Sequence, residues 1–226
     1  MTVLGPAEVR FTGRAEGDLG HAGRWVAVAD VDPAVTARRR AVLERPWSWL
    51  RQVHGDRVVL VERPGGAAGE TGDALVTAHS GAALAVLTAD CAPVALASPE
   101  GVVGAVHAGW RGLEAGVVDR TAALMRRLGA TSIVAALGPC IHAECYEFGP
   151  ADLDRLAATL DDRVRARTAA GRPALDHPAA VAAALERAGV ALHHDEDVCT
   201  ACSPGRYYSH RARSEQERQA TVVWLS

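Results

Sequence analysis

Apolar positions recur along the chain with two different periods, and the changes of period divide it into elements. Residues 8–14 (EVRFTGR) alternate as a strand does, and the Gly-rich stretch AEGDLGHAGR that follows permits tight turns. In VDPAVTARRRAVLE the apolar residues return at helical spacing, with Asp32 placed as N-cap and Pro33 at the first helical position. WSWLRQVHGDRVVLVE predicts two strands around a turn at Gly55-Asp56, which sets His54 at a strand end. PGGAAGETG reads as a loop, and DALVTA, ALAVLTAD, VALASP and GVVGAVHA are four short apolar β-type runs separated by turn residues.

The second half is richer in helical spacing. LEAGVVDRTAALMRRLG predicts one helix stopped at Gly129, IVAALGPCI a strand, and PADLDRLAATLDDRVRAR and HPAAVAAALERAG two more helices, the last running from Pro178 to Gly189. ATVVWL closes the chain as a strand, and His193-His194-Asp195 reads as a solvated loop. With no repeat period, linker or low-complexity tail, the pattern predicts one domain spanning 1–226, with mixed sheets and helices in α+β or α/β layers.

Composition narrows the functional classes. The 226 residues carry a formal charge of -3, and all 24 basic residues are Arg, so no basic footprint for nucleic acid stands out. The N-terminus lacks a basic start followed by a long apolar run, and no segment reaches bilayer length. The expectation is a soluble, cytoplasmic protein without a nucleic-acid or membrane partner. In that reducing compartment the five cysteines (Cys91, Cys140, Cys145, Cys199, Cys202) read as thiols, ligands or core residues rather than a disulfide frame.

Three metal-competent residues end apolar strand runs: His54 in RQVHGD, Cys91 in LTADCAP and His107 in GAVHAGWRG. Two imidazoles and a thiolate match the borderline-soft character of zinc, and three protein donors leave the fourth tetrahedral position open, the arrangement of a catalytic site. A lone His or Cys at a strand end packs more often than it ligates, so spacing alone leaves both readings standing. Cys199-Thr-Ala-Cys202 is a CxxC without a second CxxC, and it reads as structural; Cys145 reads as a packing residue.

QVHGDRV, TADCAPV, VHAGWRGL, LGPCIHAECYEFG and YYSHRARSEQERQATVVWL, in this order, resemble the YfiH-type family, whose members are labelled polyphenol oxidase or laccase domain proteins. The resemblance covers nearly the whole chain. It implies a single-domain α+β fold, mixed β-sheets layered with helices, and one zinc per chain held by His54, Cys91 and His107. It also implies purine nucleosides and phosphate as partners: phosphorolysis of adenosine, inosine, guanosine and methylthioadenosine, and deamination of adenosine. Asp90 is then the candidate for proton work or for orienting a ligand, and Arg111 for holding an anion or for stacking on Trp110. Gln52 and Arg14 are candidates to bind substrate. Where family members carry a Ser- and Asn-containing stretch, this chain has AEGDLGHAGRWVAVADVDP, so His21 or Asp18 takes that place by position.

Two other activities compete. A multi-copper laccase needs many His ligands, whereas this chain has nine His and no HxH pair, so copper ranks behind zinc. A hydrolase that edits peptidoglycan precursors would use the same triad. The sequence sets no oligomeric state.

Overall fold

In a computed structural model of the protein, residues 1–21, 24 and 26–226 are described; Ala22, Gly23 and Trp25 of the Gly-rich stretch lie outside the described residues. The chain begins with β1 (Thr2–Leu4), β2 (Ala7–Phe11) and α1 (Pro33–Val42). There follow β3 (Trp47–Arg51), β4 (Val58–Leu60), β5 (Glu70–Thr71), β6 (Ala74–Thr77), β7 (Ala83–Thr88), β8 (Ala92–Ala97) and β9 (Val103–Ala108). Then come α2 (Trp110–Ala115), α3 (Val117–Arg127), β10 (Val134–Leu137), α4 (Pro150–Thr159), β11 (Arg165–Arg167) and β12 (Pro173–Leu175). The chain ends with α5 (His177–Arg187), β13 (Ala191–Asp195), α6 (His210–Arg213) and β14 (Gln219–Leu225).

Two six-stranded sheets carry the fold, ordered β1-β2-β14-β7-β3-β5 and β13-β10-β8-β9-β6-β4, beside a small β11-β12 pair. Both are mixed: β14 runs antiparallel to β2 and β7, whereas β3 is parallel to β7 and β4 to β6. The period of two along each strand sorts its side chains between layers. Leu84 and Val86 of β7, Val223 and Leu225 of β14, and Ala95 and Ala97 of β8 fill the space between the sheets. Their alternates face outward. Ala83, Ala85, Val222 and Trp224 pack with Val42 of α1, and Val94 and Leu96 pack under α2 to α5. The result is a four-layer α+β sandwich, as expected.

Local chemistry explains the element boundaries. Asp32 accepts a hydrogen bond from Ala34 N and Pro33 opens α1, as the sequence predicts. The helix expected over 113–129 is instead α2 and α3, because Gly116 takes a left-handed φ of 87° and breaks the run. The helix expected through Arg167 stops at Thr159: Asp161 caps a short 3-10 turn, and β11 pairs with β12. The two strands around Gly55-Asp56 exist, but they lie in different sheets and make no hairpin. Residues 191–195 form edge strand β13, parallel to β10, in place of a loop. Among the described residues no helix is long and apolar enough to cross a membrane.

Leu96 is fully buried beneath the helices. Leu96→Ala is expected to lower unfolding free energy by about 2–5 kcal/mol with an unchanged denaturant slope. Urea titration followed by circular dichroism checks this, and a loss well under about 1 kcal/mol would show that the layer tolerates voids.

Candidate metal centre and its cavity

Two connections that carry the chain from the first sheet to the second meet in one place: residues 52–57 join β3 to β4, and residues 89–91 join β7 to β8. Each turns on a non-glycine residue with positive φ, His54 at 60° and Asp90 at 94°. Such backbone costs about 1–3 kcal/mol and persists only where neighbours enforce it. At His54 the enforcer is Asp73, the fully buried residue just before β6.

The Asp73 carboxylate accepts the backbone N–H groups of Val53 at 3.1 Å, His54 at 2.8 Å and Gly55 at 2.8 Å. Its Oδ1 also accepts His107 Nδ1 at 2.9 Å, while its carbonyl accepts His107 N at 2.8 Å. One side chain therefore fixes both histidine-bearing segments. With its proton on Nδ1 toward Asp73, His107 keeps the Nε2 lone pair for a ligand. Burial works against the Asp73 charge, yet the hydrogen bond and charge of His107 and the backbone N–H groups outweigh it and hold the carboxyl below the usual range.

One donor atom from each of His54, Cys91 and His107 lies within 4.8 Å of the others. Cys91 Sγ is 3.7 Å from His54 Nε2, and the two imidazoles meet edge to face at 76°. His107 reaches them because β9 pairs with β8, setting Pro93 opposite His107 two residues beyond Cys91. A Cβ at Gly109 would sit 2.8 Å from His54 Cδ2 and 3.4 Å from Cys91 Sγ, so glycine there leaves room for the cluster. The donor set and spacing fit zinc with one position open.

Charge within the triad is strongly coupled. Burial opposes the Cys91 thiolate, but His107 first and then His54 outweigh it and pull the thiol down to about 6. Burial likewise opposes the His107 cation, and Cys91 with Asp73 pushes it up to about 9. The thiolate form that a metal requires is thus available near neutral pH.

The triad borders a cavity of about 520 Å³, whose walls include His21, Arg24, Trp49, Gln52, Thr88, His210 and Arg218. A second cleft of about 600 Å³, bounded by Arg39, Trp47 and Trp49, contains none of the three ligands. Gln52 lines the first cavity, but both ends of its amide are bonded to the backbone of Leu87, Nε2 to the carbonyl at 2.7 Å and Oε1 from the N–H at 2.8 Å. Asp90 is 7% exposed and outside the cavity wall; its oxygens accept Thr200 Oγ1 and Arg211 N, both at 2.6 Å. Arg111 is exposed and stacks on Trp110 at 4.4 Å, likewise outside the wall. Arg14 donates to Tyr207 O and to Glu215 and lies over the Tyr208 ring, so it fastens the C-terminal segment. Asp18 accepts from the N–H groups of Gly20 and Arg218 and does the same for the loop that carries His21.

Asp73, His210 and Arg218 were not among the residues singled out from the sequence. Asp73 had a signal, an acid opening an apolar strand; Arg218 and His210 lie in the terminal motif YYSHRARSEQERQATVVWL, where nothing marked them out singly. Burial lowers the Arg218 guanidinium, and the negative Cys91, Asp18 and Asp90 nearby oppose that shift.

Two outcomes follow from the Asp73 and His107 contacts. Asp73→Asn is expected to weaken zinc binding about 10–100-fold, read by competition with a chromogenic chelator; unchanged affinity would remove Asp73 from the account. In metal-free protein, the thiolate absorbance missing from Cys91→Ser should titrate with a midpoint near 6. His107→Gln should move that midpoint upward, toward an ordinary thiol.

A family model described as multi-copper polyphenol oxidoreductase laccase matches residues 9–226. A Streptomyces coelicolor protein named purine nucleoside phosphorylase is 43% identical over 88% of this chain and 86% of its own length. One of the same name from Streptomyces griseus is 40% identical over 99% and 96%, and one from Mycobacterium tuberculosis 41% identical over 86% and 81%. Among solved structures, a Neisseria meningitidis protein superposes with a TM-score of 0.80 at 26% identity, covering 98% of this chain and 95% of that one. The Bacillus licheniformis hypothetical protein YfiH gives 0.78 at 25% identity, over 91% and 86%. The match spans nearly the whole chain in both sequence and fold, and this protein belongs to the YfiH-type, multi-copper polyphenol oxidoreductase laccase family.

Proposed function

We propose that the protein is a zinc-dependent purine nucleoside phosphorylase that also deaminates adenosine, with His54, Cys91 and His107 as the ligands of one zinc. The observation that carries this reading is a ligand triad opening into one cavity with the cationic side chains Arg24, Arg51 and Arg218 and with His210. The relatives named purine nucleoside phosphorylase support the same reaction. When bound, zinc supplies Lewis acidity at its vacant fourth position.

Phosphorolysis joins a phosphate oxygen to ribose C1′ while the bond from C1′ to the purine nitrogen breaks. Phosphate needs a cationic seat, and Arg218 suits it: Nη1 donates to the carbonyls of Glu215 and Glu217, which aims the guanidinium beside the triad. Thr88 Oγ1 and His21 Nε2 are buried in the wall with no hydrogen-bond partner among the described residues. Buried polar atoms require partners, and the hydroxyls of a ribose would supply them. Adenosine, inosine, guanosine and methylthioadenosine share that sugar face. In this reading Asp90 positions Cys91 rather than carrying a proton, because both its oxygens are engaged. Arg14 and Arg111 act on the scaffold, and Gln52 shapes the wall.

Copper oxidase chemistry fits less well. Among the described residues two clusters have metal-ligand geometry, and one of them contains histidine, whereas a multi-copper centre needs histidines for several ions.

With inosine, the wild type is expected to release free base and ribose 1-phosphate only when phosphate is present, and Cys91→Ala to fall to background. Arg218→Ala should raise the phosphate KM about 10–100-fold, the worth of one charge-assisted hydrogen bond of about 1.5–3 kcal/mol. Ammonia release from adenosine checks deamination. Base release without phosphate, or full activity in Cys91→Ala, would contradict the proposal; a precursor-editing hydrolase would release no base at all.

A further inference from the structure

We propose that Cys145, Cys199, Cys202 and Glu144 form a second metal site, a closed structural zinc centre distinct from the catalytic triad. One donor atom from each of the four residues lies within 4.8 Å of the others. Cys145 Sγ is 3.3 Å from Cys202 Sγ, and Cys202 Sγ is 3.4 Å from Glu144 Oε1. Around a tetrahedral zinc, with bonds of about 2.3 Å to sulfur and 2.0–2.2 Å to oxygen, neighbouring donors stand about 3.5–3.8 Å apart. These two separations are a little shorter than such edges, and the remaining donor pairs lie within 4.8 Å.

Packing accounts for Cys199 but not for the whole cluster. Cys199 is buried in the core and Cys145 packs half-buried against it, but Glu144 and Cys202 are exposed, so a thiol and a carboxylate join these two sulfurs from the surface, where apolar burial is weak. Four protein donors also fill a zinc coordination sphere, which marks a structural site rather than one open to substrate. The CxxC supplies two sulfurs, and the missing half comes from Glu144-Cys145, with Cys145 and Cys202 standing 57 positions apart in the chain. The backbone N–H of His142 donates to Cys199 Sγ at 3.4 Å, a contact that stabilises a thiolate. A disulfide between Cys145 and Cys202 would use two donors and leave Cys199 and Glu144 without a role.

The centre would tie two segments that together hold the catalytic region. Thr200, inside the CxxC, donates Oγ1 to Asp90 Oδ1 at 2.6 Å and its N–H to Cys140 O at 3.0 Å. Arg213 donates to Ala201 O and Tyr207 O, continuing the tie to the segment that precedes α6. Pinning 199–202 to 144–145 thereby fixes Asp90 beside Cys91. A metal that closes so long a loop also limits the unfolded chain, so chelation should lower thermal stability.

The test uses full-length Cys91→Ser, which removes a donor from the first site, purified from zinc-supplemented cells and assayed by elemental analysis. About one zinc per chain is expected to remain, and cobalt exchanged into it should show strong sulfur-to-cobalt charge-transfer absorption. Adding Cys202→Ser should abolish both. Glu144→Gln, an exposed and conservative change, should weaken retention with the circular dichroism spectrum intact, which separates loss of metal from loss of fold. A zinc-free Cys91→Ser with Cys145, Cys199 and Cys202 all titrating as free thiols would overturn the proposal. So would a mass two hydrogens lighter with Cys145 and Cys202 joined. Equal zinc in wild type and Cys91→Ser would instead count against the first site, so the two proposals fail separately.

Discussion

The structure turns on a single buried carboxylate. Asp73 takes hydrogen bonds from three consecutive backbone N–H groups of the 53–55 turn and from the ring of His107, so its charge is compensated on every side. Removing that acceptor would strand four donors at once and release His54 from a backbone conformation it does not otherwise favour. Both candidate histidine ligands are therefore held by the protein's own hydrogen bonds. This is how side chains from three distant parts of the chain can be brought within 4.8 Å of one another.

The layered fold supplies the rest. Because β3 and β4, and β7 and β8, lie in opposite sheets, the chain must cross at the sandwich edge, and each crossing delivers one ligand. The 109–112 corner then packs so closely that a Cβ at Gly112 would lie 2.9 Å from Gly55 O, and one at Gly109 would strike His54. The opposite wall is built from the C-terminal segment, held by Arg14, Asp18 and Asp90 through its backbone. Three residues that looked chemical in the sequence thus bond to the backbone of that segment.

Strand runs, the Asp32-Pro33 helix start and the α+β class were legible because period and capping are local properties. Pairing was not. Nothing in the VVLV run tells whether it folds back on Trp49 or crosses to another sheet, and the hairpin reading failed there. Helix ends were misread where a tertiary partner won: β12 draws 165–167 into a strand, and Gly116 divides a pattern that is continuous by spacing. The candidate triad was reached through an ordered set of motifs, since its residues are far apart, and the structure brings their donor atoms within 4.8 Å of one another. Asp73 shows locally only as an acid opening an apolar strand, and the placement of Arg218 and the partnership of Cys145 with the CxxC are long-range contacts that no local pattern reveals.

Anomalous scattering at the zinc edge, from crystals saturated with zinc, tests the central claim most directly. The account predicts a peak about 2.0–2.3 Å from His54 Nε2, Cys91 Sγ and His107 Nε2, with its fourth side facing the cavity. Well-ordered side chains at those three positions with no shared peak between them would contradict it, whatever density lies at the cysteine cluster.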